Sequence, residues 1–159
     1  MTREMKTSLD LDATPARVWE VLTDVPAYPE WTPGLTSAEG TFDAGGRVVF
    51  GYPPLHALLR STVPVRVLEV TPVRRLRYAW RFARMGLPVL LDAEQSSTID
   101  IRDGRVRLWL QFWVRGLFLR LIVRSLSPDE TPTFGPLPAA LRARIEGTEA
   151  PATTDLNGS

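Results

Sequence analysis

The sequence predicts an α+β fold: a curved antiparallel β-sheet wrapped around a C-terminal helix, with two short helices after the first strand. Three observations carry this prediction. Apolar and polar residues alternate with period two through much of 35 to 115, broken by turn signals at 43 to 46, 71 to 75 and 102 to 105. Two proline-punctuated helical segments precede that stretch, and a helical segment ending at Gly147 follows it. The chain has 159 residues and 44% hydrophobic content, enough to bury one core and too little for two ordinary domains. One domain over 1 to 147 is therefore expected.

The elements follow in order. Met5, Thr7, Leu9 and Leu11 alternate with Lys6, Ser8, Asp10 and Asp12, the pattern of a strand with one buried face. Thr14 before Pro15 is an N-cap followed by proline at the first helical position, and Val18, Trp19, Val21 and Leu22 form the apolar stripe of a short helix. Asp24, Pro26, Pro29, Pro33 and Gly34 limit the next segment, AYPEW, to one turn of helix. Strands are expected near 35 to 42, 47 to 52, 61 to 70, 76 to 83, 92 to 102 and 105 to 115, the last two joined by a tight hairpin over Asp103 and Gly104. A helix over 139 to 145 follows a proline-rich connector, and the tail 148 to 159 has nothing to bury and is expected to be disordered.

Composition excludes several classes of function. With 19 basic and 18 acidic side chains the net charge is only +1, so no field draws the protein to nucleic acid, and no nucleic-acid partner is expected. There is no cysteine and a single histidine, His56, which leaves almost nothing for a zinc centre, and no metal is expected. Lys6 is the only lysine and lies on the face of its strand opposite Leu9 and Leu11, which argues against a Schiff base inside the fold. No GxSxG, phosphate-binding glycine loop or dinucleotide fingerprint is present, so no cofactor is expected. No apolar signal core and no membrane-length apolar run occur, which points to a cytoplasmic protein. Abundant Arg, Ala and Pro fit a GC-rich bacterial genome.

Two blocks carry a family resemblance: VWEVLTDVPAYPEWTPGLTSAEG (18 to 40) and VLEVTPVRRLRYAW (67 to 80). They resemble the opening signature and a strand–turn–strand block of the SRPBCC superfamily, the START and polyketide-cyclase-like proteins, over roughly 5 to 147. The resemblance implies a helix-grip (Bet v 1-like) fold enclosing an apolar pocket for a small hydrophobic molecule. It also places Tyr28, Trp31 and Leu35 at the border of the pocket entrance.

Alternation assigns Leu76, Tyr78, Trp80 and Phe82 to the inward face of one strand, Gln95, Ser97, Ile99 and Ile101 to that of the next, and Val106, Leu108, Leu110, Phe112 and Val114 to that of the last. Phe50 and Tyr52 join them as lining candidates. Such a wall suits a hydrophobic ligand held by one or two hydrogen bonds, although any one of these side chains can equally be plain core. Tyr78 is the candidate acid or hydrogen-bond donor, and Gln95 and Ser97, two apart, can hold a substrate oxygen. His56, with a pKa near neutrality, is the default general base, or else an exposed loop residue. Asp92 and Glu94 are alternative carboxylate bases, or solvated strand-edge charges.

Two features depart from the resemblance. Pro132, Pro136 and Pro138 interrupt the region where a single long helix is the family pattern, so an extended lid is expected in place of its front half, reshaping the entrance for a large or elongated substrate. Trp109 and Trp113 fall on the outward face of the last strand, beside Arg107, Gln111 and Arg115; a homodimer interface or a weak membrane contact would use them. The resemblance and the lining together favour a cofactor-independent cyclase or aromatase-like enzyme acting on a polyketide-type intermediate in bacterial secondary metabolism. The alternative is a non-catalytic binding or transfer protein for a lipid, quinone or pigment.

Overall fold

The structure, a computed structural model, describes residues 2–52, 62–81, 92–116 and 136–147. Seven strands form one antiparallel sheet: β1 (Thr2–Leu11), β2 (Ser37–Gly40), β3 (Arg47–Gly51), β4 (Thr62–Thr71), β5 (Arg75–Arg81), β6 (Asp92–Arg102) and β7 (Arg105–Arg115). Their spatial order is β1-β7-β6-β5-β4-β3-β2. Consecutive strands β1 and β2 therefore lie at opposite edges, and the chain between them must cross one whole face of the sheet. It does so as α1 (Pro15–Thr23), a 3₁₀ turn (Val25–Ala27) and α2 (Tyr28–Trp31). The C-terminal helix α3 (Leu137–Glu146) packs beside α1 and β1.

Local chemistry explains the turns and caps. The Thr14 hydroxyl accepts from the Arg17 amide at 3.2 Å, closing the N-terminus of α1, and Val18, Val21 and Leu22 are buried beneath it. Asp103 and Gly104, with φ of 52° and 74°, make the two-residue β6–β7 turn that matches the twist of the flanking strands. In β4 the register shifts between Val67 and Glu69, which puts Leu68 outward and keeps both Val67 and Val70 on the buried side, opposite Tyr78 and Leu76. The strict period two expected for 61 to 70 breaks at that bulge.

The short α3 is fastened at its C-terminal end. The Arg17 guanidinium donates to the carbonyls of Ile145 (3.4 Å) and Arg144 (3.3 Å), a cation at the negative end of the helix. Arg144 in turn pairs with Glu30 at 2.9 Å, and the Asp12 amide donates to Glu146 Oε1 at 3.0 Å. The helix begins at Leu137, directly after Pro136, with Pro138 in its first turn and Gly147 in the left-handed region at its end. The lid expected over the preceding prolines, and the tail 148 to 159, lie outside the described residues.

One inward assignment needs correction. Ile101 is 63% exposed, although its register partner Val106 is buried. Strand β5 ends level with Thr98, so Ile101 projects past it with a neighbour strand on one side only, whereas Val106 sits between β6 and Leu11 of β1. Outside the core, Trp109 lies under the Lys6 ammonium (4.6 Å) and near the Arg107 guanidinium (5.8 Å), and Arg107 forks onto Asp10 at 2.6 and 3.2 Å. Among the described residues no helix is long and apolar enough to cross a membrane.

Candidate functional site

Where the crossing helices and α3 meet the sheet they leave a cavity of about 260 Å³. Phe50 and Tyr52 reach it from β3 and the residue after it, Tyr78 and Trp80 from β5, and Gln95 from β6. The opposite wall is Leu22 of α1, Tyr28 and Trp31 of α2, the Thr32–Pro33 link, Leu35, and Pro136, Leu137 and Leu141 at α3. The volume lies below the ~300–1,000 Å³ usual for drug-sized ligands, so the cavity suits one or two rings better than a long acyl chain.

The wall is a continuous aromatic cluster. Ring centroids are 4.7 Å apart for Tyr28 and Trp31, 5.5 Å for Tyr28 and Phe50, and 5.0 Å for Tyr78 and Trp80. The three pairs are tilted, stacked and edge-to-face respectively, and such contacts hold each ring in place. Tyr28 is further anchored by donating its hydroxyl to the Leu22 carbonyl at 2.7 Å, which ties α2 to α1.

Burial keeps the phenols protonated. Desolvation pushes Tyr28 well above the ordinary tyrosine value, reinforced by the neighbouring Tyr78. Tyr78 is raised by burial and then by the nearby Tyr52, with the Tyr28 hydroxyl working weakly the other way. Tyr52 is raised by burial too, against a smaller opposing contribution from the Trp80 indole. These are the only tyrosines in the chain, so an ultraviolet alkaline titration reads this cavity alone. Unfolded tyrosine ionises near pH 10. A raised folded value means that stability is full below that pH and is lost as pH rises through the folded values, by about 1.4 kcal/mol per pH unit for each tyrosine still protonated. We expect tyrosinate absorbance to appear only together with loss of structure above pH 10; a ring that ionised near pH 10 in folded protein would be one open to water.

Three side chains of the wall also carry buried polar atoms that are turned away from the open space of the cavity. Trp31 Nε1, Thr32 Oγ1 and Trp80 Nε1 are buried without a hydrogen-bond partner, and all three belong to lining side chains. A buried group left unpaired costs about 1–3 kcal/mol. None of the described lining residues is acidic or basic.

The candidates named from the sequence divide as follows. Tyr78, Gln95, Trp31, Leu35, Phe50, Tyr52 and Trp80 come together around the cavity. Ser97, Ile99, Leu108, Leu110 and Phe112 share the same sheet face but stand away from it: Leu108 and Leu110 are completely buried core, and Phe112 packs its ring at 5.7 Å from that of Trp80. Ser97 is sealed in the core with its hydroxyl unpartnered. His56 and Phe82 lie outside the described residues. Glu94 is not a base in the cavity; it alternates with Gln95, so it points outward and pairs with Arg77, which also holds Glu69 at 3.3 Å. Asp92 shares that parity. Sequence reasoning missed Thr32, for which no signal exists, and Leu137 and Leu141, whose spacing of four on α3 marks one helix face.

The model of the family described as polyketide cyclase / dehydrase and lipid transport matches residues 2–128. The chain belongs to that family. Among solved structures similar to this family member, the Thalictrum flavum norcoclaurine synthase is 15% identical with a TM-score of 0.62, over 92% of this chain and 86% of that one. Ara h 8.0201 is 12% identical with a TM-score of 0.61, over 92% and 97%. DynU16, a protein of the dynemicin biosynthetic locus, is 15% identical with a TM-score of 0.64; the match takes 92% of this chain but only 49% of DynU16. At these identities the likeness is one of fold, and the fold is the helix-grip, Bet v 1-like architecture. No curated protein is similar in sequence.

Proposed function

We propose that this family member binds a small hydrophobic molecule bearing ketone or hydroxyl oxygens, of polyketide type, in the cavity between the sheet and α3. The observation that carries the reading is an aromatic cavity whose described polar groups are all neutral hydrogen-bonding groups. Such a wall confines an apolar skeleton and orients it through its oxygens without a cofactor. Native mass spectrometry of protein taken from a metabolite-rich extract tests it: a retained molecule of this class supports the reading, and retention only of charged or strongly polar molecules would sink it.

A second reading, cofactor-independent cyclisation or dehydration of the bound molecule, is favoured by Tyr78. Held neutral by burial, its phenol is suited to donate to an oxygen on which negative charge develops. On this reading Tyr78→Phe lowers kcat about 10²-fold, the loss typical of one such donor, and leaves KM nearly unchanged. Equal losses in turnover and affinity would make Tyr78 a binding group, and the protein a carrier.

A further inference from the structure

Resting on that reading of the cavity, we propose that Trp31, Trp80 and Thr32 make it selective for flat aromatic ligands bearing a carbonyl oxygen over hydrocarbons of the same shape. Trp31 Nε1 and Thr32 Oγ1 find no partner, and Trp80 Nε1 makes no well-formed hydrogen bond although it lies near the Tyr52 hydroxyl; these are three of the four such atoms among the described residues, all on side chains of this one wall. An indole N–H can only donate. The two indoles therefore ask for acceptors, and the Thr32 hydroxyl can supply a third donor.

Apart from the carbonyl of Leu22, already taken by Tyr28, the described lining offers side-chain acceptors in the Gln95 amide and the Tyr52 and Tyr78 hydroxyls, none of which holds Trp31 Nε1 or Thr32 Oγ1 in this arrangement. No carboxylate or imidazole lines the cavity among the described residues, and the Tyr28 phenol spends its own hydrogen on the Leu22 carbonyl. The three atoms are also sealed from water, so solvent cannot satisfy them in this arrangement. The outer torsion of a tryptophan is soft. A ligand oxygen entering the cavity can thus draw an indole N–H towards it by a small ring rotation, and a CH₂ group in the same place cannot. The aromatic neighbours at 4.7 Å for Trp31 and 5.0 Å for Trp80 favour a flat ligand that stacks in the same cluster.

The test compares 2-acetylnaphthalene with 2-isopropenylnaphthalene, which exchanges the carbonyl oxygen for CH₂ at constant shape, by equilibrium dialysis against the full chain. The ketone is expected to bind at least about tenfold more tightly, a difference of about 1.4 kcal/mol. Trp31→Phe should cut that preference, read as the ratio of the two probe affinities in the same variant, to about threefold or less, and Trp80→Phe should do the same. Trp80 is deeply packed, so if that variant fails to fold, Trp31→Phe and the near-isosteric Thr32→Val decide the matter. Equal affinity of the two probes for the unaltered protein overturns the inference and leaves the cavity a binding site. A ketone preference that survives both Trp31→Phe and Thr32→Val overturns the assignment to these residues. Binding of neither probe overturns the inference together with the binding reading on which it rests.

Discussion

Replacing Leu141 by alanine is expected to destabilise the protein by about 2–5 kcal/mol, lowering the melting temperature by about 5–15 °C for a chain of this size. Leu141 is only 2% exposed and is the residue of α3 that belongs both to the core and to the cavity wall. A helix of ten residues is marginal in water by itself, so α3 persists because Leu141, Ala143 and Ile145 are buried and because Arg17 caps its end. Truncation removes one of the two large anchors, the one that also lines the cavity, and opens space continuous with it. Ligand preference should therefore move towards larger ring systems in the same variant. Arg142, exposed on the next position of α3, supplies the control: Arg142→Ala should change stability by about 0.5 kcal/mol or less. Indistinguishable melting of the two variants would mean that α3 contributes little to holding the fold.

Gly40→Ala is the second large effect. Gly40 ends β2 at a φ of +104°, and a Cβ there would stand 2.3 Å from the Arg47 carbonyl oxygen and 3.1 Å from Val48 Cα, both backbone atoms of the paired strand. The backbone conformation alone costs an L side chain about 1–3 kcal/mol, and the clash adds to it because strand backbone cannot step aside without breaking the β2–β3 ladder. Gly45 separates the two causes. Its φ of +75° is equally left-handed, but a Cβ there meets nothing within 4 Å. Urea unfolding should show Gly45→Ala losing about 1–2 kcal/mol and Gly40→Ala clearly more. Because β3 carries Phe50 into the cavity wall, Gly40→Ala should weaken ligand binding as well, whereas Gly45→Ala should not. Equal losses for the two would show that the close approach of β2 to β3 is not a constraint.

How much of this was legible in advance depended on whether a feature is local. Strands β6 and β7 begin and end where the alternation and the Asp103–Gly104 turn place them, because a two-residue turn sets the register of both strands at once. The start of α1 was equally plain, since Thr14, Pro15 and the apolar stripe act within a single turn of helix. Ile101 went the other way: its alternation is regular, and only the point at which β5 stops, a fact about another strand, leaves it in solvent. The bulge at Leu68 likewise depends on what β4 must face across β5.

The candidate site shows the same division. Alternation put Tyr78 and Trp80 with Gln95 on one face, and family resemblance pointed to Trp31 and Leu35. Neither could separate the lining from the packed core, for Leu108 and Leu110 lie on that very face and are wholly enclosed. What separates them is the path of α1, α2 and α3 across the sheet, which fills one part of the curve and leaves about 260 Å³ in another. The amino-acid sequence by itself determined the fold class, most of the strand faces, the caps and turns, and the scarcity of histidine, lysine and cysteine. The tertiary structure alone decided which of those faces bounds a cavity and which polar atoms there lack partners. The physical reason is range: turns, caps and alternation follow from interactions within a few residues, whereas a cavity is what long-range packing leaves unfilled.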